Sequence, residues 1–501
     1  MDYEAVIGLE THVQLKTRSK MWCGCANAFG APPNTHVCPV CLGLPGVLPV
    51  ANDEALRLTA LTGLLLHCQV SPFATFDRKN YFYPDVPKNY QVTQYAQPST
   101  AHGHVDFEFH GGAARVRITR AHLEEDVGKN FHFARNSGVD FNRAGVPLLE
   151  IVSEPDITGA DMAYEYLNAL KDILIYGGIS DCDMEKGMVR CDVNVSVRPR
   201  GAKELGAKIE IKNMNSFSGV RKALEHEIPR QIAVLRSGGK LAQSTRRWDD
   251  VAGVTEEMRT KEHAHDYRYF PEPDLMPFEP TDDWLAEVKK RVVELPLARK
   301  QRFMRDYQLP ASDAQTFVWD VPLGDYFEII ARQSNNPKAV ANWLINNLRA
   351  KLTESAGRRN EALTEVDDSA KQASSRLTSA PTGNRLAGLK FKPEALLELV
   401  GLVDNKTISS SAAQQVFAEM FDTGESPTVI VQRKGLAQVS DTGAIEKFCD
   451  EVIAANPGPV ADFRNGKVAA LNFLKGQVMK LSKGKANPAV VGEILERKAK
   501  G

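Results

Sequence analysis

The clearest pattern in the first half of the chain is a two-residue alternation of apolar and polar side chains. It begins in residues 5–15, where successive side chains point to opposite faces of a predicted strand. Such a strand covers a hydrophobic core with one face and leaves the other open to solvent or to a cleft. The open face carries Glu10, His12 and Gln14, and the covered face carries Ala5, Ile7, Leu9, Val13 and Leu15.

Further segments repeat this alternation and predict a mainly antiparallel sheet. Glu150 lies on the polar face of one such strand, and Asp192 and Asn194 lie on the polar face of another, over residues 189–198. Between the two, apolar residues at helical spacing predict a helix over residues 161–175.

The second half of the chain has the longer periodicity of helices. Helical patterns start near residue 283 and resume near residue 393, after a polar stretch (351–379) that predicts a flexible insertion. We therefore predict an α+β protein of three domains: a mainly antiparallel-sheet domain over residues 1–292, a helical domain over 293–424 and a small helical C-terminal domain over 425–501.

Composition is typical of a globular protein. The chain has 501 residues, of which 43% are hydrophobic and 25% charged, with a formal net charge of −1. No apolar run approaches the ~20 residues that span a bilayer, and no secretory signal opens the chain, so we expect a cytoplasmic protein with no membrane association. From Phe463 onward the chain carries nine Lys or Arg against two acids, which favours contact with RNA phosphates; a solvated basic surface is the alternative.

Four of the eight cysteines form two close pairs separated by a loop: Cys23 with Cys25, and Cys38 with Cys41. This spacing fits a structural tetrahedral Zn²⁺ site in which each pair supplies two thiolates. Four unrelated buried thiols are the alternative, because free cysteine is often buried. Clustered cysteines in a reducing compartment favour the metal site.

Acidic side chains recur on the predicted strands: Glu10 beside His12, the run Glu124-Glu125-Asp126, Glu150, and Asp192 beside Asn194. Mg²⁺ prefers oxygen ligands such as carboxylates and keeps positions for water or phosphate. Each acid alone is better explained by a solvated strand face than by a metal ligand. Together with nearby cations such as Arg190, they favour a metal–phosphate centre, in which catalysis is mostly positioning and charge neutralisation.

Residues 76–84 mix cations with aromatic side chains, which suits a loop that stacks on a nucleotide or an RNA end. An aromatic packing loop explains them equally well. The sequence contains no G-x-x-x-x-G-K-[ST], G-x-G-x-x-G or G-x-S-x-G motif, which argues against a P-loop, a Rossmann site and a hydrolase nucleophile elbow.

Several longer segments resemble the B-subunit family of the aspartyl/glutamyl-tRNA amidotransferases, and the resemblance runs over nearly the whole chain. The segments are residues 6–15, 76–85, 122–126, 147–156, 190–194, 266–274, 475–480 and 484–488.

The resemblance implies an ATP-dependent carbon–nitrogen ligase with glutamine as amide donor. The B subunit would phosphorylate the side-chain carboxylate of misacylated Glu-tRNA(Gln) or Asp-tRNA(Asn), and ammonia would then displace the phosphate. The amidase, or A, subunit would release the ammonia, and the small C subunit would complete a heterotrimer. The resemblance also implies an N-terminal cradle similar to glutamine synthetase-type ligases and a C-terminal tRNA-binding domain.

Carried over residue by residue, the resemblance implies a Mg²⁺ site and contacts to phosphate or substrate. The implied metal ligands and catalytic residues are Glu10, His12, Glu125, Glu150 and Asp192. The implied cofactor contacts are Lys79, Lys88, Arg190 and Asn194. A non-catalytic tRNA-binding scaffold is the main alternative, and a metal-dependent phosphohydrolase is a more distant one.

Overall fold

The computed structural model describes residues 2–260, 267–354, 382–438, 442–482 and 486–500. The chain divides into two compact units, Met1–Arg299 and Lys300–Gly501. Apart from residues 351–354, the predicted insertion over 351–379 lies outside the described residues. No helix in the described ranges is long and apolar enough to cross a membrane.

The first unit is built on strands. In chain order they are β1 (Tyr3–Gln14), β2 (Gln69–Val70), β3 (Asp77–Asn80), β4 (Tyr90–Thr93), β5 (Thr100–Phe109), β6 (Gly112–Glu125), β7 (Lys129–His132), β8 (Ser137–Asp140), β9 (Pro147–Ser153), β10 (Val189–Pro199), β11 (Ile209–Met214), β12 (Ser244–Asp249), β13 (Val254–Thr260) and β14 (Phe270–Pro271).

A nine-stranded sheet organises this unit, with the order β13-β12-β11-β10-β1-β9-β6-β5-β2. Its neighbours pair antiparallel except β11 and β12, which pair in parallel. A small sheet of order β14-β3-β4 and the hairpin β7-β8 complete the described strands. β1 therefore lies at the centre of the large sheet, between β9 and β10.

Helices α1 (Asp53–Leu65), α2 (Ala160–Tyr176) and α3 (Phe217–Arg236) cover the apolar face of the large sheet. The predicted helix over 161–175 is confirmed, since α2 contains it. The side chains of Asn52 and Ser216 accept hydrogen bonds from amides in the first turns of α1 and α3, which fixes where both helices begin. Buried residues from the sheet and these helices form one continuous core.

Helices follow in the rest of the chain: α4 (Asp282–Lys289), α5 (Pro296–Asp306), α6 (Ala311–Trp319), α7 (Val321–Ala331), α8 (Pro337–Asn342) with a π-helical continuation (Trp343–Leu348), α9 (Thr382–Ala387), α10 (Pro393–Asp404), α11 (Ser410–Thr423), α12 (Pro427–Lys434), α13 (Thr442–Ala455), α14 (Pro457–Arg464), α15 (Val468–Leu481) and α16 (Pro488–Lys500).

The second unit contains two separate hydrophobic clusters. The first extends from Phe303 to Val431, and the second extends from Ile445 to Ala499. The predicted α+β class, with a large sheet followed by helices, is confirmed. The division into three domains at 292 and 424 stays a prediction; Ile430 and Val431 of α12 pack in the first of these clusters.

We expect Val193→Ala to weaken the centre of the sheet. Val193 is 0% exposed in β10, and removing two buried carbons should lower the local free energy of opening by about 2 kcal/mol. Hydrogen–deuterium exchange of β1 and β10 peptides should therefore speed up by roughly 30-fold. Val251→Ala is the matched control, because Val251 is 100% exposed; equal exchange in the two variants would contradict this core assignment.

Candidate active site and cysteine cluster

The polar face of the central strands gathers side chains from four neighbouring strands. In β1, His12 lies opposite Glu150 of β9 on one side and Arg190 of β10 on the other. His122 of β6 lies opposite Glu150 on its second side. Because paired residues in an antiparallel sheet point to the same face, these four side chains form a row across the sheet.

Three side chains of this face could hold a metal ion. Ligand atoms of His12, Glu124 and Glu150 all lie within 4.8 Å of one another. His12 Nε2 is 3.8 Å from Glu150 Oε2, and His122 Nε2 lies 3.4 Å from Glu150 Oε2 and 3.6 Å from Glu124 Oε1. Two carboxylates and one imidazole therefore converge on one point of a rigid sheet.

The electrostatics of the three groups differ because their neighbours differ. Burial, followed by the charges of Glu124 and Glu10, raises the pKa of Glu150 well above its usual range. Burial opposes the charge of Glu124, but the hydrogen bond with His122 and the charge of Lys79 hold its pKa below the usual value. Burial also lowers the pKa of His12, which leaves a neutral imidazole with a lone pair to donate. A bound cation would relieve the repulsion between the carboxylates.

The small sheet presents donors to this cluster from β3 and β4. Thr93 Oγ1 donates to Glu124 Oε1 at 2.7 Å, and Gln91 Nε2 donates to Glu124 Oε2 at 3.2 Å. Burial alone would lower the pKa of Lys79, but the neighbouring carboxylate of Glu124 outweighs it and raises the pKa. The Lys79 ammonium therefore stays protonated. The Lys79 ammonium also lies 5.1 Å from the ring centroid of Tyr267.

Glu125, the next residue of β6, turns away from Glu124 because side chains alternate along a strand. Its carboxylate pairs with the Lys88 ammonium and accepts the Val92 amide at 2.8 Å. The structure therefore brings Glu124, and not Glu125, into the group with His12 and Glu150. The assignment of Glu125 to the metal site stays a prediction.

The other predicted residues lie on the same face with partners of their own. Asn194 Nδ2 donates to Glu10 Oε1 at 2.8 Å, and Lys212 of β11 pairs with Asp192. Two further pairs extend this set: Arg190 donates to Asp126 Oδ1 at 3.0 Å, and Lys212 lies 3.1 Å from Glu210 Oε1. The face thus alternates anions and cations.

A cavity of about 630 Å³ borders this face through Gln14 and Arg190. Its walls combine further cations, including Lys129 and Arg143, with apolar side chains such as Met188. This volume is typical of pockets that hold a small molecule. The cavity could therefore enclose part of a substrate that extends from the polar face.

The four cysteines predicted to bind metal lie together. Their Sγ atoms are all within 4.8 Å of one another, and four thiolates about 2.3 Å from a tetrahedral metal would be roughly 3.8 Å apart. The Cys23 thiol donates to Cys41 and, with the Cys38 amide and the charge of Lys20, lowers the pKa of Cys41 to about 5. The donor set therefore suits a thiophilic metal ion.

The turn that carries Cys38 and Cys41 packs against Lys88, the partner of Glu125. Gly43, at the end of this turn, has φ +65°, and a Cβ on it would lie 2.4 Å from Lys88 Cγ. Only glycine fits both the left-handed backbone and the close approach. Gly43, two positions after Cys41, therefore links the cysteine cluster to the Lys88–Glu125 ion pair.

Sequence reasoning left His122 and Lys212 without a role, and it did not separate Glu124 from the rest of the acidic run 124–126. His122 and Glu124 lie in residues 122–126, one of the segments that resemble the family, and the alternation along β6 places both side chains on one face. Only the pairing of β6 with β9 brings them next to Glu150. Lys212 alternates with Ile209 and Ile211 in the same way, and its contact with Asp192 depends on the pairing of β10 with β11.

Comparison with known proteins assigns both halves of the chain. A model of the GatB/GatE catalytic domain matches residues 5–286, and a model of the GatB domain matches residues 325–498. Proteins named as the B subunit of aspartyl/glutamyl-tRNA(Asn/Gln) amidotransferase match along nearly their whole length. One from Carboxydothermus hydrogenoformans is 50% identical over 502 residues, covering 99% of each chain; one from Thermoanaerobacter sp. (strain X514) is 48% identical over 497 residues, also covering 99% of each.

We expect Cys38→Ser to abolish metal binding by the cysteine cluster. One hard hydroxyl would replace a thiolate, so metal content should fall well below one ion per chain and the melting temperature should drop. Elemental analysis and thermal unfolding measure both. Cys68→Ser is the control, because Cys68 is buried outside the cluster and its loss should spare the metal. Full metal content in Cys38→Ser would contradict the cluster assignment.

Proposed function

Because this chain belongs to the B-subunit family of the aspartyl/glutamyl-tRNA(Asn/Gln) amidotransferases, we propose that it performs the ATP-dependent step of tRNA transamidation. The protein transfers the γ-phosphoryl group of ATP to the side-chain carboxylate of Glu-tRNA(Gln) or Asp-tRNA(Asn), giving an acyl phosphate and ADP. Ammonia then attacks the acyl carbon and phosphate leaves, which forms the amide. The assembly is thus a carbon–nitrogen ligase with glutamine as amide donor.

Family membership makes the protein one component of a larger amidotransferase. The partners are the amidase (A) subunit, which releases ammonia from glutamine, the small C subunit, which completes a heterotrimer, and the misacylated tRNA. The complex works in the cytoplasm, where tRNA is charged.

The observation that carries the proposal is the convergence of His12, Glu124 and Glu150 on the polar face of the central strands. Two carboxylates and a neutral imidazole fit Mg²⁺, which keeps its other positions for water and phosphate oxygens. When bound, Mg²⁺ and ATP supply a transferable phosphoryl group whose charge is partly neutralised.

The chain's own residues would position the reacting groups around this centre. Lys79 stays protonated beside Glu124, so its ammonium can contact phosphoryl oxygens. Asp126 orients Arg190 next to His12, which places a second cation on the same face. Glu10 and Asp192, held by Asn194 and Lys212, are further candidates for metal or substrate contact.

The cysteine cluster fits a structural Zn²⁺. Cys23, Cys25, Cys38 and Cys41 would fill all four positions of a tetrahedral ion and leave none open for substrate. Its role is to fix the loops that pack against Lys88.

A non-catalytic tRNA-binding scaffold, the alternative, would not require this arrangement. A binding surface has no use for two buried acidic side chains held close together, because that arrangement costs stability unless a cation is bound. The geometry therefore favours the catalytic function.

The predicted C-terminal domain, residues 425–501, is proposed to grip the body of the tRNA and to add no chemistry. Its basic side chains lie on the helices around a small apolar core. Lys480 is exposed and Lys475 is half-buried on α15, while Lys483 and Lys485 lie outside the described residues. Such contacts to phosphate are mainly independent of sequence and weaken with salt.

We expect Glu124→Gln and Glu125→Gln to separate the two metal assignments. Each removes one charge from neighbouring positions of β6, but only Glu124 lies with His12 and Glu150. Glu124→Gln should weaken Mn²⁺ binding by more than about tenfold, while Glu125→Gln should stay within about threefold. Calorimetric titration of the assembled complex measures both.

Amidation driven by ammonium salt gives the second measurement of this prediction. Glu124→Gln and Glu150→Gln should cut it severely, and the partner's glutaminase activity serves as the control because its chemistry lies elsewhere. If Glu125→Gln loses Mn²⁺ affinity as strongly as Glu124→Gln, Glu125 is a ligand and the arrangement described above is not the one that binds metal.

We expect the double variant Lys475→Ala/Lys480→Ala to raise the KM for aminoacyl-tRNA severalfold. The slope of log KM against log salt concentration should become shallower by roughly one to two units, because up to two phosphate contacts are lost. kcat should barely change. Lys392→Ala, which removes an exposed lysine beside α10, is the matched control. An unchanged KM and slope would show that α15 does not bind tRNA.

A further inference from the structure

Lys20 is buried with its ammonium facing the cysteine cluster. Its side chain is 0% exposed, its Nζ lies 3.7 Å from Cys41 Sγ, and the same nitrogen donates to the Phe141 carbonyl at 3.2 Å. Within the described part of the chain, Lys20 forms no salt bridge with an Asp or Glu. Among the described residues, the polar partners of the buried Lys20 ammonium are therefore one sulfur, of Cys41, and one carbonyl oxygen, of Phe141.

A neighbouring lysine shows how unusual this environment is. Lys88 is also nearly buried, at 9% side-chain exposure, and lies in the same region as Cys41. The carboxylate of Glu125 neutralises Lys88. Lys20 has no such carboxylate: its ammonium contacts only Cys41 Sγ and the Phe141 carbonyl among the described residues, and a buried charge without a full counter-charge is unfavourable.

A metal-loaded cluster would supply the missing negative charge. Four thiolates around a divalent ion carry two net negative charges, spread over sulfurs such as Cys41 Sγ. An ammonium beside one of those sulfurs would offset part of this charge and donate a hydrogen bond to it. The buried lysine and the anionic cluster would each remove the cost of burying the other.

The backbone holds Lys20 in this position independently of its side chain. Its amide donates to the Cys25 carbonyl at 2.9 Å, and its carbonyl accepts from Asn52 Nδ2 at 3.1 Å. The next amide, of Met21, donates to the Gly145 carbonyl at 2.7 Å. Lys20 is thus fixed between the first cysteine pair and the loop that follows β8.

We propose that Lys20 is the charge partner of the metal-loaded cysteine cluster and a determinant of its metal affinity. Its ammonium stabilises the metal–thiolate form and, through Phe141, ties the cluster to the loop beside Glu125. This inference rests on the proposed Zn²⁺ site and is independent of the proposed transamidation.

The test compares Lys20→Met, Lys20→Gln and Lys20→Arg in the purified full-length protein. Lys20→Met and Lys20→Gln should raise the Zn²⁺ dissociation constant by roughly ten- to a hundredfold, and Lys20→Arg should retain more of the affinity. Competition with a colorimetric chelator measures the Zn²⁺ dissociation constant of each variant. Lys16→Met is the matched control, because Lys16 pairs with Asp181 at the surface and should leave Zn²⁺ affinity unchanged.

Thermal unfolding with and without Zn²⁺ separates this role from a merely structural one. Stripping Zn²⁺ should lower the melting temperature of the wild type more than that of Lys20→Met, because only the wild type has a buried ammonium that loses the charge of the metal–thiolate cluster. Lys20→Gln keeps a donor for Phe141 and serves where Lys20→Met does not fold. The proposal would be overturned if Lys20→Met kept wild-type Zn²⁺ affinity and its melting temperature fell equally with and without Zn²⁺. A wild-type protein that binds no Zn²⁺ would overturn the metal site itself.

Discussion

The structure depends on the pairing of β1 with β9 and β10 at the centre of the large sheet. This register sets His12 opposite Glu150 and Arg190, so that one strand and its two neighbours position the centre of the candidate site. It also directs Ile7 and Leu9 into the core beneath the helices. A slip of one residue would exchange the two faces, burying the reactive groups and exposing the core, so packing and chemistry select the same register.

The candidate active-site face holds its acidic side chains largely buried among unequal sets of compensating groups. Glu124 keeps its negative charge because His122, Thr93 and Lys79 surround it, whereas Glu150 has fewer compensating donors and a raised pKa. A divalent ion between them would replace repulsion with attraction. Stability and the proposed function are therefore linked: without a cation this arrangement costs folding free energy, and with one it would form the phosphoryl-transfer centre that we propose.

Most of the architecture could be predicted from the sequence, because each feature depends on local periodicity. Alternation indicated the strands and the polar face of β1, helical spacing indicated α2, and cysteine spacing indicated a group that the structure brings together. The choice between Glu124 and Glu125 could not be made in this way. It depends on which face of β6 meets Glu150, and that depends on strand pairing between residues far apart in the chain.

The cysteine cluster and the active site form one mechanical unit, although their chemistries differ. The turn from Cys38 to Cys41 ends at Gly43, whose backbone lies directly on Lys88, and Lys88 pairs with Glu125 at the end of β6. A metal ion that fixes this turn also fixes the position of that ion pair. The adjacent loop connects the same regions through backbone hydrogen bonds of Gly145 to Met21 and Asp126. If the cluster binds a metal as we propose, its loss would therefore loosen Glu125 and, through the same strand, the proposed ligand Glu124.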